Sequence, residues 1–203
     1  AVGRPRFQVS AGTDPFDVSM NLLGKHQILN ALAAIAATQT IGATVEAMVK
    51  GLNTLMPFKG RMFPKQLGHW QWIDDSYNAN PSSMRAAIDA LAKLPEPKAL
   101  VLGRMGELGE ESAGLHAEVG AYAARAGIAK LFTSRDNAGD YARGFRSVTT
   151  SGEIFQLEDQ AAVAAKLMEV MPTGIVLVKG SRSAAMEKVF DEAFQRLEQG
   201  EKH

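Results

Sequence analysis

The sequence predicts an α/β protein built on a mostly parallel sheet with helices on both faces. From residue 70 onward, short apolar segments alternate with helical patterns, the spacing of consecutive βαβ units. Two of these segments, Ala99-Leu100-Val101-Leu102 and Ile175-Val176-Leu177-Val178, are apolar without interruption, as strands covered on both faces are. Three of them run straight into polar or glycine-containing turns ahead of a helix. In open α/β sheets that edge, outside the carboxyl ends of the strands, is where ligands bind.

Taken in order, residues 5–10 and 16–22 read as strands around a Gly12-Thr13-Asp14-Pro15 turn. Residues 26–41 form an Ala-rich helix with Ile28, Leu29, Leu32, Ile35 and Ala36 on its apolar face, ended by Gly42. Thr44 caps a helix over 45–56 that aligns Val45, Met48, Val49, Leu52 and Leu55. Two prolines and a glycine in the stretch Met56–Pro64 predict a linker, hinged at Phe58–Pro64. Strands follow at 70–73, 98–102, 129–133, 146–149, 153–156 and 175–178, with helices at 82–94, 112–126, 136–144, 159–171 and 183–198. Trp70 and Trp72 share one strand face and read as packing, as do Met48, Met84, Met168 and Met186 at helical positions. His116 reads as a packing or surface residue, and His69 as a strand-end residue.

The 203 residues carry 22 basic and 22 acidic side chains, so no basic excess points to nucleic acid. There is no cysteine, which removes disulfides and thiolate metal sites and fits a cytoplasmic protein. No apolar run approaches the roughly 18 residues of a membrane helix, so no membrane insertion is expected. The chain begins at Ala1 without Met and reads as processed or cut; its last residues, 200–203, read as frayed.

The three turns are Asp74-Asp75-Ser76-Tyr77-Asn78-Ala79-Asn80-Pro81, Gly103-Arg104-Met105-Gly106-Glu107-Leu108-Gly109, and Lys179-Gly180-Ser181-Arg182-Ser183. In a parallel sheet they share one rim, where acids, amides, hydroxyls and cations meet beside helix N-termini that favour anions. Each has a plainer reading: Asp74, Asp75 and Ser76 as a helix cap, Gly103–Gly109 as a structural loop, and Lys179–Arg182 as an ordinary βα turn. Glu107, Glu110 and Glu111 also fit a solvated acidic turn. No G-x-x-x-x-G-K-[ST] loop and no G-x-G-x-x-G after a strand occurs, so the sequence offers half of a nucleotide site.

The order and spacing of five motifs resemble the carboxyl-terminal part of a Mur ligase, from about residue 5 to about 198. They are the Gly24-Lys25-His26-Gln27-Ile28-Leu29-Asn30-Ala31-Leu32-Ala33 run, Gly60-Arg61, the Asp74–Pro81 run with Ser83 and Met84, Gly103–Gly109 with His116, and Lys179–Ser183. Within the family the Tyr-Asn-Ala-Asn-Pro and Lys-Gly-Ser-Arg-Ser runs resemble the D-Ala-D-Ala-adding branch. The resemblance implies that residues 1–62 are the tail of a central P-loop ATPase domain and 63–203 a Rossmann-like ligase domain. The amino-terminal domain and the P-loop are then absent, and the chain alone is expected not to turn over ATP. It implies ligation of D-Ala-D-Ala to UDP-MurNAc-tripeptide, driven by ATP with Mg2+ through an acyl phosphate, in the last cytoplasmic step of peptidoglycan precursor synthesis.

Roles follow from the same resemblance. His26 lies near the metal and phosphates, and Asn30 reads adenine. Arg61 reaches a phosphate on domain closure, and Asp75 holds the ribose, with Asp74, Tyr77, Asn78 and Asn80 shaping that loop. Lys179, Ser181 and Arg182 lie on the amine-substrate side, where an Arg182 fork suits the dipeptide carboxylate. His26, Arg61 and Lys179 are thus the catalytic candidates, with His26 also nearest the metal. Asn30, Arg61, Asp75, Tyr77 and Asn78 are the nucleotide candidates, and Asn80, Ser181 and Arg182 those for the amine substrate. Two positions depart from the family: Gln27 replaces its usual Asn, which shifts adenine recognition toward Asn30, and Arg104 its usual Asp, so Arg104 takes no acid's role and either pairs with Glu107 or is a species change. Other ATP-dependent amide ligases of the superfamily, of folylpolyglutamate or cyanophycin type, and a non-catalytic binding module are the alternatives.

Overall fold

The computed structural model describes residues 5–10, 12, 14–22 and 26–200. It divides into two compact units, Ala1–Phe58 and Lys59–His203.

In the first unit, β1 (Arg6–Val9) and β2 (Phe16–Ser19) form an antiparallel pair in the register Arg6↔Ser19 to Val9↔Phe16. Two helices follow, α1 (His26–Thr40) and α2 (Val45–Thr54). Thr44 caps α2 as expected, its hydroxyl accepting from the Ala47 N–H. Val9, Val18, Met20, Ala31, Ile35, Met48 and Leu52 make the core. The apolar face of α1 differs in part from expectation: Ile35 is buried as expected, with Ala31, whereas Leu29 is 70% exposed and Leu32 is exposed too, as is Ile41 just past the helix.

The second unit is a six-stranded sheet. Its strands are β3 (Phe63–Leu67), β4 (Trp70–Asp75), β5 (Lys98–Leu102), β6 (Lys130–Ser134), β7 (Glu153–Leu157) and β8 (Gly174–Lys179). Their order is β3-β4-β8-β5-β6-β7, with β3 antiparallel and every other pairing parallel. The helices are α3 (Pro81–Ala92), α4 (Ser112–Arg125), α5 (Ala138–Arg146), α6 (Gln160–Val170) and α7 (Lys188–Gly200). One core cluster packs α6 and α7 against the sheet through Val163, Leu167, Val189 and Phe190, and holds Trp70 and Trp72, so both tryptophans pack as expected.

Three expectations for elements were wrong. Phe63 and Pro64, expected to close the linker, are strand: they open β3, an edge strand, where proline is tolerated. No strand forms at 146–149, because Phe145 closes α5 with its ring buried and the chain then turns. The helix expected over 183–198 starts at Lys188, after a short 3₁₀ turn, Arg182–Ala184, that ends on Ala185 at φ 48°.

Candidate functional site

The β4 strand ends because the chain bonds to itself. Asp74 is fully buried, and its Oδ1 accepts from both the Ser76 N–H (3.2 Å) and the Ser76 hydroxyl (2.6 Å). That local side-chain pairing turns the backbone out of the sheet. Lys65 on the neighbouring edge strand lies 3.5 Å from the other carboxylate oxygen. Asp74 therefore organises the turn from within. The cap of α3 is Asn80, not the acids: its Oδ1 accepts from the Ser83 N–H at 2.8 Å, while the Ser83 hydroxyl accepts from the Asn80 N–H.

Asp75 points to the rim. Parallel register sets it opposite Lys179, and the Lys179 ammonium donates to Asp75 Oδ2 at 2.6 Å and to the Asn78 carbonyl at 2.9 Å. The side chain of Lys179 is 3% exposed and that of Asp75 13%. Asp75 Oδ1 accepts the Met62 N–H at 3.1 Å. Lys179 therefore clamps the loop that presents Asp75, rather than standing free on the amine side. On the outer surface the Arg61 guanidinium stacks over the exposed Tyr77 ring, 4.4 Å from its centroid, and the Tyr77 N–H donates to the Gly60 carbonyl. The structure thus gathers Arg61, Asp75, Tyr77, Asn78 and Lys179.

The loop after β5 is held by neutral groups. His116, buried on α4, accepts the Met105 N–H on Nε2 at 2.9 Å, while its Nδ1 donates to the Ser112 carbonyl at 2.6 Å. Burial lowers its pKa from the ordinary value of 6.5; the Ser112 carbonyl and Asp140 oppose the shift and Arg104 assists it. The Tyr141 ring meets His116 edge-on at 4.9 Å, and its hydroxyl donates to the Gly103 carbonyl at 2.9 Å. Burial pushes the Tyr141 phenol up, so it remains a donor. Two glycines permit this contact: a Cβ at Gly120 would lie 2.1 Å from the Tyr141 carbonyl oxygen, and one at Gly144 1.7 Å from that of Ala117.

After β8, Ser181 is buried and its N–H donates to the Arg104 carbonyl. Arg182 is 73% exposed and pairs with Glu187 at 3.1 Å. Arg104 does not pair with Glu107 among the described residues; its Nε donates to the Ser183 hydroxyl and its Nη1 lies 3.6 Å from Asp136. Glu107 sits at φ 61°, in the turn itself. On the first unit, Asn30 is exposed on α1 and donates to Gln27 at 3.1 Å. The backbone of His26 starts α1, but its side chain, with Gly24 and Lys25, lies outside the described residues. Among the described residues no group of three or more His, Asp or Glu could hold a metal ion, and no helix is long and apolar enough to cross a membrane.

The model of the Mur ligase, glutamate ligase domain family matches residues 60–182, more than half of the chain and the rim as far as Arg182. The chain belongs to the Mur ligase family. This Mur ligase chain is 42% identical over 185 residues to the UDP-N-acetylmuramoyl-tripeptide–D-alanyl-D-alanine ligase of Escherichia coli, covering 90% of the chain and 40% of that relative. The solved MurF of Acinetobacter baumannii superposes with a TM-score of 0.86 at 29% identity, covering 95% of the chain and 42% of that structure. MurF of Thermotoga maritima, solved in complex with ADP, gives 0.81 at 26% identity, covering 97% and 44%. The chain therefore spans about two fifths of the length of the relatives it matches.

Sequence reasoning missed the Met62 N–H and the roles of His116 and Tyr141 in this Mur ligase chain. Lys179 did carry a signal: a lysine closing an uninterrupted apolar strand needs a buried partner.

Proposed function

We propose that the chain is the carboxyl-terminal portion of an ATP-dependent ligase that joins D-Ala-D-Ala to UDP-MurNAc-tripeptide in cytoplasmic peptidoglycan precursor synthesis. The observation that carries this reading is the prearranged Asp75, pinned by Lys179 and the Met62 N–H beside the Arg61–Tyr77 stack, on a chain 42% identical to such a ligase. Asp75 is the acceptor for the nucleotide ribose: the Lys179 ammonium and the Met62 N–H fix the direction of its carboxylate at the rim. Arg61 supplies a cation for phosphate, and Tyr77 and Asn78 shape the loop. His26 next to metal and phosphate, and Asn30 at adenine, rest on the motif resemblance alone. Ser181 belongs to the amine-substrate side; Asn80 and Lys179 act through the loop that they hold.

ATP is a substrate here: it phosphorylates the tripeptide carboxylate, and the dipeptide amine then displaces phosphate to form the amide. This chain's contribution is alignment and charge. The described residues do not fit a magnesium ion by themselves, and no step is assigned to one. We also propose residues 1–62 as the tail of a larger ATPase domain and 63–203 as the ligase domain. Exposed Leu29, Leu32 and Ile41 support the first part, since a larger domain would cover such apolar side chains.

The test is a ligase assay on full-length protein carrying this sequence, with ATP, UDP-MurNAc-tripeptide and D-Ala-D-Ala. Amide formation coupled to ADP release is expected, and Asp75→Ala should raise the apparent KM for ATP at least tenfold. An unchanged ATP dependence removes Asp75 from the site. Ligation of glutamate to a folate in place of the dipeptide reaction would favour the folylpolyglutamate alternative. ATP turnover by the 203-residue chain alone would overturn the assignment of the phosphate cradle to other sequence.

A further inference from the structure

The stretch between α2 and β3 is held along only half of its length. Residues 55–58 have no regular structure, and the side chains of Leu55, Met56 and Phe58 are exposed. Among the described residues, the backbone of 56–59 makes no hydrogen bond. From Gly60 on, the chain is bonded to the loop after β4. The Tyr77 N–H donates to the Gly60 carbonyl at 2.9 Å, and the Met62 N–H donates to Asp75 Oδ1 at 3.1 Å. Arg61 sits between these two bonds, its guanidinium over the Tyr77 ring. Gly60 has φ 81°, and a Cβ there would lie 3.1 Å from the Tyr77 Cβ and 3.2 Å from the Tyr77 nitrogen, so the approach requires glycine. Met62 is 4% exposed and held at φ 50°. A non-glycine residue stays in the left-handed region only where its surroundings over-determine it, and such residues gather at ligand clamps and switch regions.

We propose that Gly60 and Met62 are positioning residues that weld the second half of the linker to the Asp75 loop, so that Arg61 and Asp75 meet the nucleotide as one rigid piece while residues 56–59 do the flexing. The role rests on the ligase reading above, in which Asp75 takes the ribose and Arg61 a phosphate. The piece is tied to the sheet at both ends: Asp75 is paired with Lys179 on β8, and Met62 leads directly into β3. An N–H that donates to a carboxylate makes a charge-assisted bond, stronger than one to a neutral acceptor. Ribose and phosphates belong to one ligand, and two groups already fixed relative to each other lose less freedom when they grip it. An arginine carried on a free hinge would forfeit that advantage. A chain turns most easily where it breaks no hydrogen bond in doing so, which places the pivot ahead of Gly60. The hinge expected over Phe58–Pro64 is thereby shifted toward the amino terminus and ends at Lys59.

Two measurements test this. Residue-resolved hydrogen exchange on the 203-residue chain should show the Met62 and Tyr77 amides protected to within about tenfold of the β4 amides, with the amides of 56, 58 and 59 exchanging at unprotected rates. Met62 and Tyr77 amides that exchange as fast as those of 56 and 58 would overturn the weld. The second measurement is titration calorimetry of ATP on full-length protein carrying Gly60→Ala or Gly68→Ala. Both glycines have φ in the left-handed region, 81° and 54°, but a Cβ at Gly68 meets the end of the Leu197 side chain at 3.1 Å, in the β3–β4 turn. Both variants should lower the urea midpoint, and only Gly60→Ala should weaken ATP binding, by about tenfold or more. Unchanged ATP affinity in Gly60→Ala, or an equal loss in Gly68→Ala, sinks the positioning role. Because ATP binding is read without an amine substrate, a protein that shows the expected effects and yet fails to ligate D-Ala-D-Ala keeps the weld and loses the ligase reading.

Discussion

The loop after β4 and the loop after β5 leave the same sheet edge on either side of β8, yet different chemistry fixes them. Charge holds the first: Lys179 to Asp75, Lys65 to Asp74, and Asp74 to its own turn. Neutral donors and acceptors hold the second, His116 on the Met105 N–H and Tyr141 on the Gly103 carbonyl. A buried charge pair gives a carboxylate a fixed direction but leaves an expensive orphan if either partner is lost. A neutral ring costs less to bury and keeps its hydrogen bonds only while it stays unprotonated.

The contrast breaks most sharply at Lys179. Lys179→Met should destabilise the second unit by about 3–5 kcal/mol in urea unfolding, because the buried ammonium no longer offsets the Asp75 charge. Adding Asp75→Leu should return part of that loss; no recovery would mean that the pair is not the source. Next comes the packing that sets the neutral latch. Gly144→Ala drives a Cβ into the Ala117 carbonyl and should cost about 1–3 kcal/mol or more, with the Met105 amide losing hydrogen-exchange protection. Asn80→Ala removes the α3 cap and should cost about 0.5–2 kcal/mol in the same unfolding measurement.

The smallest effect is in pH. The folded His116 pKa lies below the unfolded 6.5, so the unfolded state binds more protons in that window. The His116 contribution is complete above pH 6.5 and is lost as pH falls from there through the folded value. His116→Gln should flatten the stability profile below pH 6.5, at about 1.4 kcal/mol per pH unit at most. An unchanged slope would show that the ring is not held neutral.

The central strands could be read to within a residue, because β5 and β8 are buried on both faces and their composition says so. The edge could not. β3 alternates half-buried with exposed residues and contains Pro64, so nothing in its composition separates it from a linker. The candidate site divides in the same way. Polar turns after apolar strands marked where Asp75, Arg104 and Ser181 would lie. The Asp75–Lys179 pair was invisible, since 104 positions separate its members and only the parallel register of β4 with β8 joins them. The helix approach that brings Tyr141 to His116 was hidden too, because it depends on backbone closeness at two glycines.

The position of β8 has a consequence for how the chain is made. It is the last strand in sequence and yet lies between β4 and β5, hydrogen-bonded to both. During synthesis, chains order from the amino terminus at about 5–20 residues per second. The β3–β4 hairpin and the β5–β6–β7 group therefore leave the ribosome as separate pieces with exposed inner edges. Asp75 has no Lys179 until residue 179 appears. A chain stopped before residue 174 would carry most of the rim's side chains without the strand that joins β4 to β5, so the site is completed only once β8 has been made.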